Sequence, residues 1–507
     1  MDADLIIIGS GIGGATLAAA LAPSGLRILI LEKGQHLRPC PEARDDEAIF
    51  LRGHFAPTEQ WMGADGTPFV AGNYYAVGGN SKFYGAVMYR YREADFHPRK
   101  HFEGVTTGWP FDYTELAPWY DAAEAMFRVH GAVGEDPTEP PRGGPYAWPA
   151  VPDEPVIAEV RQRLRAAGAQ PASLPLAIDI ETWLAEGKTG WDAYPNTGQG
   201  KIDAETGPLN LALSYDNVQL LTQSEVIRIE TDAEGLRISG VVIRAEGTER
   251  ILKSRGVALA AGAINSAALL LKSASDAHPA GLANGSDQVG RNFMNHNSSA
   301  MLTINPLLRN SSVYQKTLSL NDFYDADPID GAPLGNVQGL GRVTAAVLKS
   351  NMRWLPMPIA HLLAAYAFGW FLQSEDLPDP ESRVMWQDDQ IVIQWQRSNM
   401  RAHRTLIERT RALMRKAGFP IVLTRTFGVR TTSHQCGTAR LGTDPDRSVV
   451  TPDLRSHQIE NLWVTDASVL PTSAAVNPAL TICALVLRAA ESIQASLFKT
   501  SNHFQQE

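Results

Sequence analysis

The chain has 507 residues, of which 44% are hydrophobic and 20% are charged, so it has enough apolar material for one large or two smaller globular domains. A net charge of −10, with no basic cluster interleaved with aromatic residues, argues against nucleic acid as a partner, because phosphates need a basic surface. Three scattered cysteines, Cys40, Cys436 and Cys483, argue against a disulfide framework or a cysteine-based metal site and favour a reducing, intracellular location.

The N-terminal stretch predicts a βαβ unit that binds a dinucleotide. An apolar run from Leu5 to Ile8 has the residue types of a buried parallel strand, and the six residues after it, GSGIGG, follow the G-x-G-x-x-G pattern. We expect Gly9 to make the tight turn, Gly11 to let backbone N–H groups approach a pyrophosphate, and Gly14 to let helix and strand pack closely. A second strand ends on Glu32, which is placed to accept hydrogen bonds from the adenosine ribose and favours a cofactor without a 2′-phosphate.

The middle of the chain carries one further binding motif. Gly78-Gly79-Asn80-Ser81 predicts a loop whose backbone wraps closely around a flat or anionic group. Periodicity and turn signals predict the other elements: helices over 113–129, 156–167 and 405–417, strands over 218–230, 236–245 and parts of 384–396, and a buried strand that runs into a helix over 257–266.

Two stretches bear on membrane association. The nucleotide strand begins at residue 4 or 5, which leaves no room for a cleavable secretory signal, so we expect a cytoplasmic protein. The segment 354–372 is about as long as a membrane span, but Pro356, Pro358 and His361 lie inside it. A buried helix or an apolar loop over a substrate pocket is the favoured interpretation, and contact with a membrane or a partner subunit is the alternative.

The C-terminal segment predicts a second contribution to the nucleotide-binding sheet. Residues 461–466 read as a short apolar strand that ends on Asp466, residues 471–477 as a turn, and residues 479–497 as a long helix. Strand, turn and helix in this order suit a return to the first sheet. We therefore expect a discontinuous nucleotide domain whose cofactor runs between the two ends of the chain.

Four stretches together resemble the glucose–methanol–choline (GMC) family of FAD-dependent alcohol oxidoreductases. They are the opening βαβ unit, the Gly78–Ser81 loop, the segment 262–273, and the combination of HQCGT at 434–438, DAS at 466–468 and Asn477-Pro478. They occur in family order and span essentially the whole chain. The resemblance implies an α/β fold with a discontinuous Rossmann-type FAD-binding domain over 1–96, 206–296 and 432–507, and a substrate-binding domain, with a mainly antiparallel sheet covered by helices, over 97–205 and 297–431.

Departures from the family pattern refine this expectation. Phe83 occupies the position of the histidine that carries the flavin in members with covalent FAD, which implies noncovalent FAD here. Tyr84 stands where most members have Asn. An aromatic residue there, together with Asn477-Pro478, is similar to the pyranose oxidases and sugar dehydrogenases. The expected substrate is therefore a sugar or glycoside hydroxyl.

The resemblance also implies roles for individual residues. His434 is the expected base for the alcohol proton, since histidine titrates near neutral pH, and Asn477 is the expected hydrogen-bond donor to the substrate oxygen. His296 matches a family segment and is expected to be structural. Asp466 is expected beside the ribityl–pyrophosphate portion, and Val226 over the adenine. The full set of expected cofactor-binding residues is Gly9, Gly11, Gly14, Glu32, Gly79, Asn80, Ser81, Val226, Asp466, Ala467 and Pro478.

The leading hypothesis is FAD-dependent oxidation of an alcohol, with a small-molecule alcohol or sugar as substrate and oxygen or an external acceptor taking the electrons. No set of His, Cys, Asp and Glu has metal-ligand spacing and no G-x-S-x-G is present, so neither a metal site nor an esterase triad is expected. Two alternatives stay open. The fold could serve non-redox, lyase-like chemistry, or the chain could be the catalytic subunit of a multi-protein electron-transfer dehydrogenase.

Overall fold

The structure is a computed structural model that describes residues 1–428 and 434–504. In those residues the strands, β1 to β22 in chain order, are Ala3–Ile8, Ile28–Leu31, Gln60–Gly63, Pro68–Val70, Arg99–Lys100, Val105–Thr106, His130–Gly131, Trp148–Pro149, Ala172–Ser173, Val218–Leu221, Ser224–Thr231, Ile238–Ala245, Thr248–Leu252, Ser254–Leu259, Asn297–Ile304, Leu318–Leu320, Asn336–Gly339, Ala367–Ser374, Arg383–Gln387, Gln390–Gln394, Ile421–Thr426 and Leu462–Val464. The helices, α1 to α10, are Ile12–Leu21, Tyr113–Met126, Pro155–Ala166, Ile180–Glu186, Asn210–Leu213, Ala263–Lys272, Ala345–Asn351, Met357–Ala364, Met400–Lys416 and Ala479–Phe504.

A five-stranded parallel sheet forms the nucleotide-binding layer. Its order is β10-β2-β1-β14-β22, so strands from distant parts of the chain are neighbours. β22 pairs with β14, with Val257 opposite Leu462, which confirms that the C-terminal strand returns to the first sheet. The domain boundaries given above remain predictions, and the one between residues 431 and 432 lies outside the described residues.

The stretch 218–230, predicted as one strand, is two strands in different sheets. β10 lies at the edge of the parallel sheet, whereas β11 begins an antiparallel meander with β12 and β13. Between them Gln223 has a φ of +51°, a left-handed conformation that redirects the chain. The prediction was wrong because the apolar pattern continues across this turn.

A six-stranded antiparallel sheet, of order β21-β15-β18-β17-β16-β9, forms the second layer. Helix α9 packs against it through Ala402, Leu406 and Met414, which confirms the predicted amphipathic helix. The strands predicted within 384–396 do not join this sheet. β19 and β20 instead extend β3 and β4, with Val392 opposite Met62, because strand pairing depends on partners far along the chain.

The apolar segment 354–372 is not a single element. It contains α8 and most of β18, an interior strand of the six-stranded sheet. Trp354 and Leu362 are 78% and 62% exposed, so the interpretation as one buried helix is wrong. Phe371, on β18, reaches the cavity described below.

One helix among the described residues is long and apolar enough to cross a membrane, the part of α10 from Ala479 to Lys499. However, 61% of its apolar window is buried inside the protein, where α10 packs against α1 and α2. This is the environment of a core helix.

Candidate active site

One cavity of about 570 Å³ runs between the two layers. Its lining contains every site residue expected from the sequence except Gly14. At one end Glu32 lies beside the β11 residues Glu225 and Val226, and at the other end His434 and Asn477 contact each other. The fold therefore brings the N-terminal motif and the C-terminal pair to one elongated site.

The glycines of the glycine-rich loop have different roles, some in packing and one in binding. Gly9 has a φ of +105°, and a Cβ there would lie 2.4 Å from the carbonyl oxygen of Ala260. A Cβ on Gly14 would lie 2.0 Å from the carbonyl oxygen of Gly9, which is why this glycine packs inside and does not line the cavity. A Cβ on Gly11 would meet no atom of the described residues within 4 Å. Gly11 thus faces open space at the first turn of α1, which has neither a side-chain cap nor an acidic residue among the described residues.

Glu32 is already engaged by protein groups. Its Oε2 accepts hydrogen bonds from the amide (3.1 Å) and the hydroxyl (2.6 Å) of Ser10, and its Oε1 accepts one from the amide of Gly34 (2.8 Å). Since each carboxylate oxygen can accept two hydrogen bonds, Oε1 keeps one free site for a ribose hydroxyl. The expected hydrogen bond from the ribose would therefore go to Oε1 of Glu32.

Asp466 lines the cavity and also has a structural task. Its carboxylate accepts hydrogen bonds from the amide of Gly262 (2.9 Å), the hydroxyl of Ser266 (2.5 Å) and the amide of Ser468 (2.9 Å). Burial raises its pKa above the ordinary value, against these hydrogen bonds. The side chain therefore ties the start of α6 to the C-terminal strand and positions two loops that line the cavity, while its expected contact with the cofactor stays a prediction.

The loop from Gly78 to Gly85 lies against the glycine-rich loop. The amide of Gly78 donates to the hydroxyl of Ser10 (3.1 Å), and Asn80 Oδ1 accepts from the amide of Tyr74 (2.8 Å). Phe83 stacks on Tyr74, with ring centroids 3.8 Å apart, and both rings line the cavity. The neighbouring Tyr84 donates its hydroxyl to a backbone carbonyl, and burial raises its pKa well above the ordinary value.

His434 and Asn477 lie together at the end of the cavity. Asn477 Nδ2 is 3.2 Å from His434 Nε2, and His296 Nδ1 is 2.9 Å from His434 Nδ1. Burial, followed by the nearby His296 and Lys316, lowers the pKa of His434 well below its ordinary value of 6.5. His434 is therefore a neutral imidazole at neutral pH and can accept a proton.

The hydrogen bonds determine which nitrogen of His434 is basic. His296 Nε2 lies 2.9 Å from the carbonyl oxygen of Ser473, which can only accept, so this nitrogen carries the proton. Neutral His296 then accepts at Nδ1, and His434 donates to it from its own Nδ1. Gln373 Oε1, 3.2 Å from His296 Nδ1, makes no hydrogen bond in this tautomer. The lone pair of His434 is consequently on Nε2, beside Asn477. His296, expected to be structural, orients His434 directly.

Two buried glutamines hold the amide of Asn477. Gln338 Nε2 and Gln373 Nε2 both donate to Asn477 Oδ1, at 2.9 and 3.3 Å, and both also donate to Asn336 Oδ1. Because two donors face Oδ1, the Nδ2 group of Asn477 must face His434. The amide therefore presents a donor to the site.

Sequence reasoning missed two groups of lining residues. Asn265 and Lys272 lie on α6, within the motif segment 262–273, whereas the others lie on strands and loops and belong to none of the four motif stretches. The group near Glu32 includes Tyr75, Asn265, Lys272, Trp386 and Ile391, and the group near His434 includes Asp192, Lys316, Gln338, Phe371 and Phe427.

The fold also brings together one set of side chains with metal-binding chemistry. Cys40, Glu42 and His54 have ligand atoms that all lie within 4.8 Å of one another, on the excursion that follows the first βαβ unit. Their spacing of 2 and 12 residues carried no recognisable signal. The set does not line the cavity, and the expectation that the reaction needs no metal stays a prediction.

The residues present fit FAD. The uncapped start of α1 and the open face of Gly11 suit a pyrophosphate, and Oε1 of Glu32 suits a ribose hydroxyl. The cavity continues from there, past the aromatic pair Tyr74 and Phe83, to His434. An extended dinucleotide with a flat ring at its far end matches this shape.

Comparisons with known proteins agree with this geometry. Two family models described as GMC oxidoreductase match the chain, one over residues 3–298 and the other over residues 378–485. The 6‴-hydroxyparomomycin C oxidase of Streptomyces lividus is 28% identical over 97% of this chain and 92% of its own length. The 2-methyl-1,2-propanediol dehydrogenase of Mycolicibacterium austroafricanum is 28% identical over 97% of this chain and 95% of its own length. The crystal structure of pyridoxine 4-oxidase from Mesorbium loti covers 97% of this chain and 99% of its own with a TM-score of 0.66 at 19% identity, which shows the same fold.

Proposed function

The chain belongs to the GMC oxidoreductase family and is an FAD-dependent enzyme that oxidises an alcohol, and from this premise we propose that its substrate is a sugar or glycoside hydroxyl. The family matches confirm the fold class and the CH–OH chemistry expected from the sequence. The name of one relative supports this substrate class, since it gives a hydroxyparomomycin as the compound oxidised. The name of another gives a simple 1,2-diol and supports alcohol oxidation only. The lyase-like alternative is not favoured.

The observation that carries the catalytic part of the proposal is the pair of His434 and Asn477 at the end of the cavity. A substrate hydroxyl within hydrogen-bond reach of both side chains replaces their direct contact: it donates its proton to His434 Nε2 and accepts a hydrogen bond from Asn477 Nδ2. His296 holds the imidazole in the required tautomer, and the glutamines hold the amide. The glycine-rich loop and Glu32 would hold FAD, which would supply the acceptor for the hydride that leaves the alcohol carbon. The protein thus supplies the base and the orientation of the substrate hydroxyl.

An anaerobic flavin-reduction screen tests the proposal. Sugars, glycosides and simple primary alcohols are mixed with the purified holoenzyme without oxygen, and the flavin absorbance is followed. We expect bleaching with at least one sugar or glycoside, and readmission of oxygen then distinguishes an oxidase from an enzyme that needs an external acceptor. Substrate turnover while the flavin stays oxidised would contradict alcohol oxidation.

The lowered pKa of His434 gives a pH prediction. The base must be neutral, and a histidine with a lowered pKa stays neutral until the pH falls below that pKa. We therefore expect the rate of anaerobic flavin reduction to stay constant from about pH 8 down to about pH 6.5 and to fall at lower pH. Stopped-flow measurements across this range provide the check. A rate already halved at about pH 6.5 would show that His434 titrates as an exposed histidine does.

We further propose that FAD is bound noncovalently. Phe83, at the position of the tethering histidine, has a hydrocarbon ring that stacks on Tyr74 and cannot form a bond to the flavin. We expect acid precipitation to release all the flavin into the supernatant, and denaturing electrophoresis to show no fluorescent band. Flavin that remains with the precipitated chain would mean that another residue tethers it.

A further inference from the structure

A buried ion pair forms part of the cavity wall near His434. Lys316 Nζ lies 2.8 Å from Asp192 Oδ2, and both residues line the cavity. The side chain of Lys316 is only 6% exposed and that of Asp192 is 17% exposed. The catalytic proposal above gives this pair no contact with the substrate.

The pair keeps unused hydrogen-bonding capacity. Asp192 Oδ2 accepts from Lys316 and from the amide of Gly341 (3.1 Å), whereas Oδ1 accepts no hydrogen bond from the described residues. The Lys316 ammonium has three donors, of which one has an acceptor among the described residues. Polar groups with little solvent exposure are costly when unpaired, so a ligand that completes their hydrogen bonds gains affinity.

The pair lies directly against the loop that adjoins the expected flavin position. A Cβ on Gly85 would lie 2.8 Å from Asp192 Oδ1 and 3.0 Å from Lys316 Nζ. The backbone after Tyr84 therefore passes both charged groups at close range. Burial acts to raise the pKa of Asp192, but the Lys316 charge and the Gly341 amide hold it below its ordinary value, so the carboxylate is ionised.

We propose that Asp192 and Lys316 bind two adjacent hydroxyl groups of the substrate and so select an uncharged vicinal polyol. One hydroxyl donates to Asp192 Oδ1, and its neighbour accepts from Lys316 Nζ. The charges of Asp192 and Lys316 neutralise each other. An additional ammonium or carboxylate on the substrate is therefore left without a compensating charge, and such a substrate binds more weakly. This inference rests on the proposed function, since it concerns the same cavity.

A purely structural ion pair is the competing explanation. Asp192 lies on the loop before Tyr194 and Lys316 just before β16, so the pair also ties that loop to the six-stranded sheet. Asp192→Asn and Lys316→Met remove the charges with little change in size. Asp327→Asn is the matched control, because Asp327 forms a buried ion pair with Arg409 (2.8 Å) in the same layer and does not line the cavity.

The experiment measures binding and reduction separately. Equilibrium binding of glucose, methyl glucoside, glucosamine, gluconate and 1-propanol is followed by flavin absorbance in holoenzyme that carries His434→Ala, and anaerobic reduction is followed with His434 present. We expect Asp192→Asn and Lys316→Met to weaken binding of the preferred neutral sugar about tenfold or more, to leave 1-propanol within about twofold, and to reduce discrimination against glucosamine or gluconate. Asp327→Asn should change none of these.

The proposal would be overturned if Asp192→Asn and Lys316→Met fold and bind the sugar with unchanged affinity, and with an unchanged ratio of sugar affinity to 1-propanol affinity. If Lys316→Met fails to fold, Lys316→Arg replaces it in the experiment. This variant keeps the charge pair but alters its geometry, and it must still lower the ratio of the affinity for the sugar to the affinity for 1-propanol. A wild-type enzyme whose flavin no alcohol reduces would instead contradict the proposed function, while the binding measurements still report on the ion pair.

Discussion

Replacing His434 by alanine is expected to slow anaerobic flavin reduction by the best substrate about 10²- to 10⁴-fold while the flavin stays bound. His434 Nε2 carries the lone pair and lies beside Asn477, whereas His296 contacts Nδ1 on the other side of the ring. No other histidine lines the cavity among the described residues. Removing the imidazole therefore removes the one histidine among the described residues that lines the cavity.

Stopped-flow reduction of the variant and of a matched control provides the measurement. His457 is a suitable control, because its ring contacts the hydroxyl of Ser448 (3.0 Å) and the carbonyl of Gly442 (3.2 Å) away from the cavity. His457→Ala should reduce its flavin at the wild-type rate, and added imidazole should restore part of the rate of His434→Ala. Equal rates for wild type and His434→Ala would refute the assignment of the base.

The second large effect is expected at Gly13, where alanine should destabilise the fold. A Cβ there would lie 1.6 Å from the carbonyl oxygen of Thr465, at the end of the C-terminal strand. The backbone fixes the position of the Cβ, and the atom that it meets is a backbone oxygen, so no side-chain rotation relieves the contact. We expect Gly13→Ala to lower the free energy of unfolding by at least about 3 kcal/mol.

Gly11→Ala is the matched comparison within the same motif. Its Cβ meets no atom of the described residues within 4 Å and would instead occupy the space that a pyrophosphate approaches. We expect Gly11→Ala to fold as the wild type does and to bind FAD with an affinity that is lower by about tenfold or more. Denaturant unfolding of the apoprotein and FAD titration of the apoprotein distinguish the two effects. A stable Gly13→Ala, or tight FAD binding by Gly11→Ala, would contradict these assignments.

Much of the nucleotide layer was predictable because its signals are local. The turn at Gly9, the strand before it and the small-residue helix after it depend on φ preferences and apolar runs within a few residues. The amphipathic helix α9 was predictable for the same reason. Predictions failed where the pattern continued across a change of direction, as at Gln223, or where an apolar run contained two elements, as in 354–372.

The catalytic pair was identified by resemblance, and its surroundings were not. His434 and Asn477 are 43 residues apart, and nothing between them indicates that Gln338 and Gln373 hold the amide. Asp466 was likewise identified from the sequence without its hydrogen-bond partners. Its motif was visible, but its partner Gly262 lies 204 residues earlier and gives the side chain a structural task.

By itself, the sequence determined the dinucleotide motif, the family resemblance and the identities of the catalytic candidates, because these depend on short spacings and residue types. The tertiary structure alone decided which nitrogen of His434 is basic, which glycine contacts the C-terminal strand, and that Asp192 and Lys316 form an ion pair in the cavity wall. These features depend on contacts between residues more than 100 positions apart. Such contacts arise from the packing of whole layers, which no local pattern records.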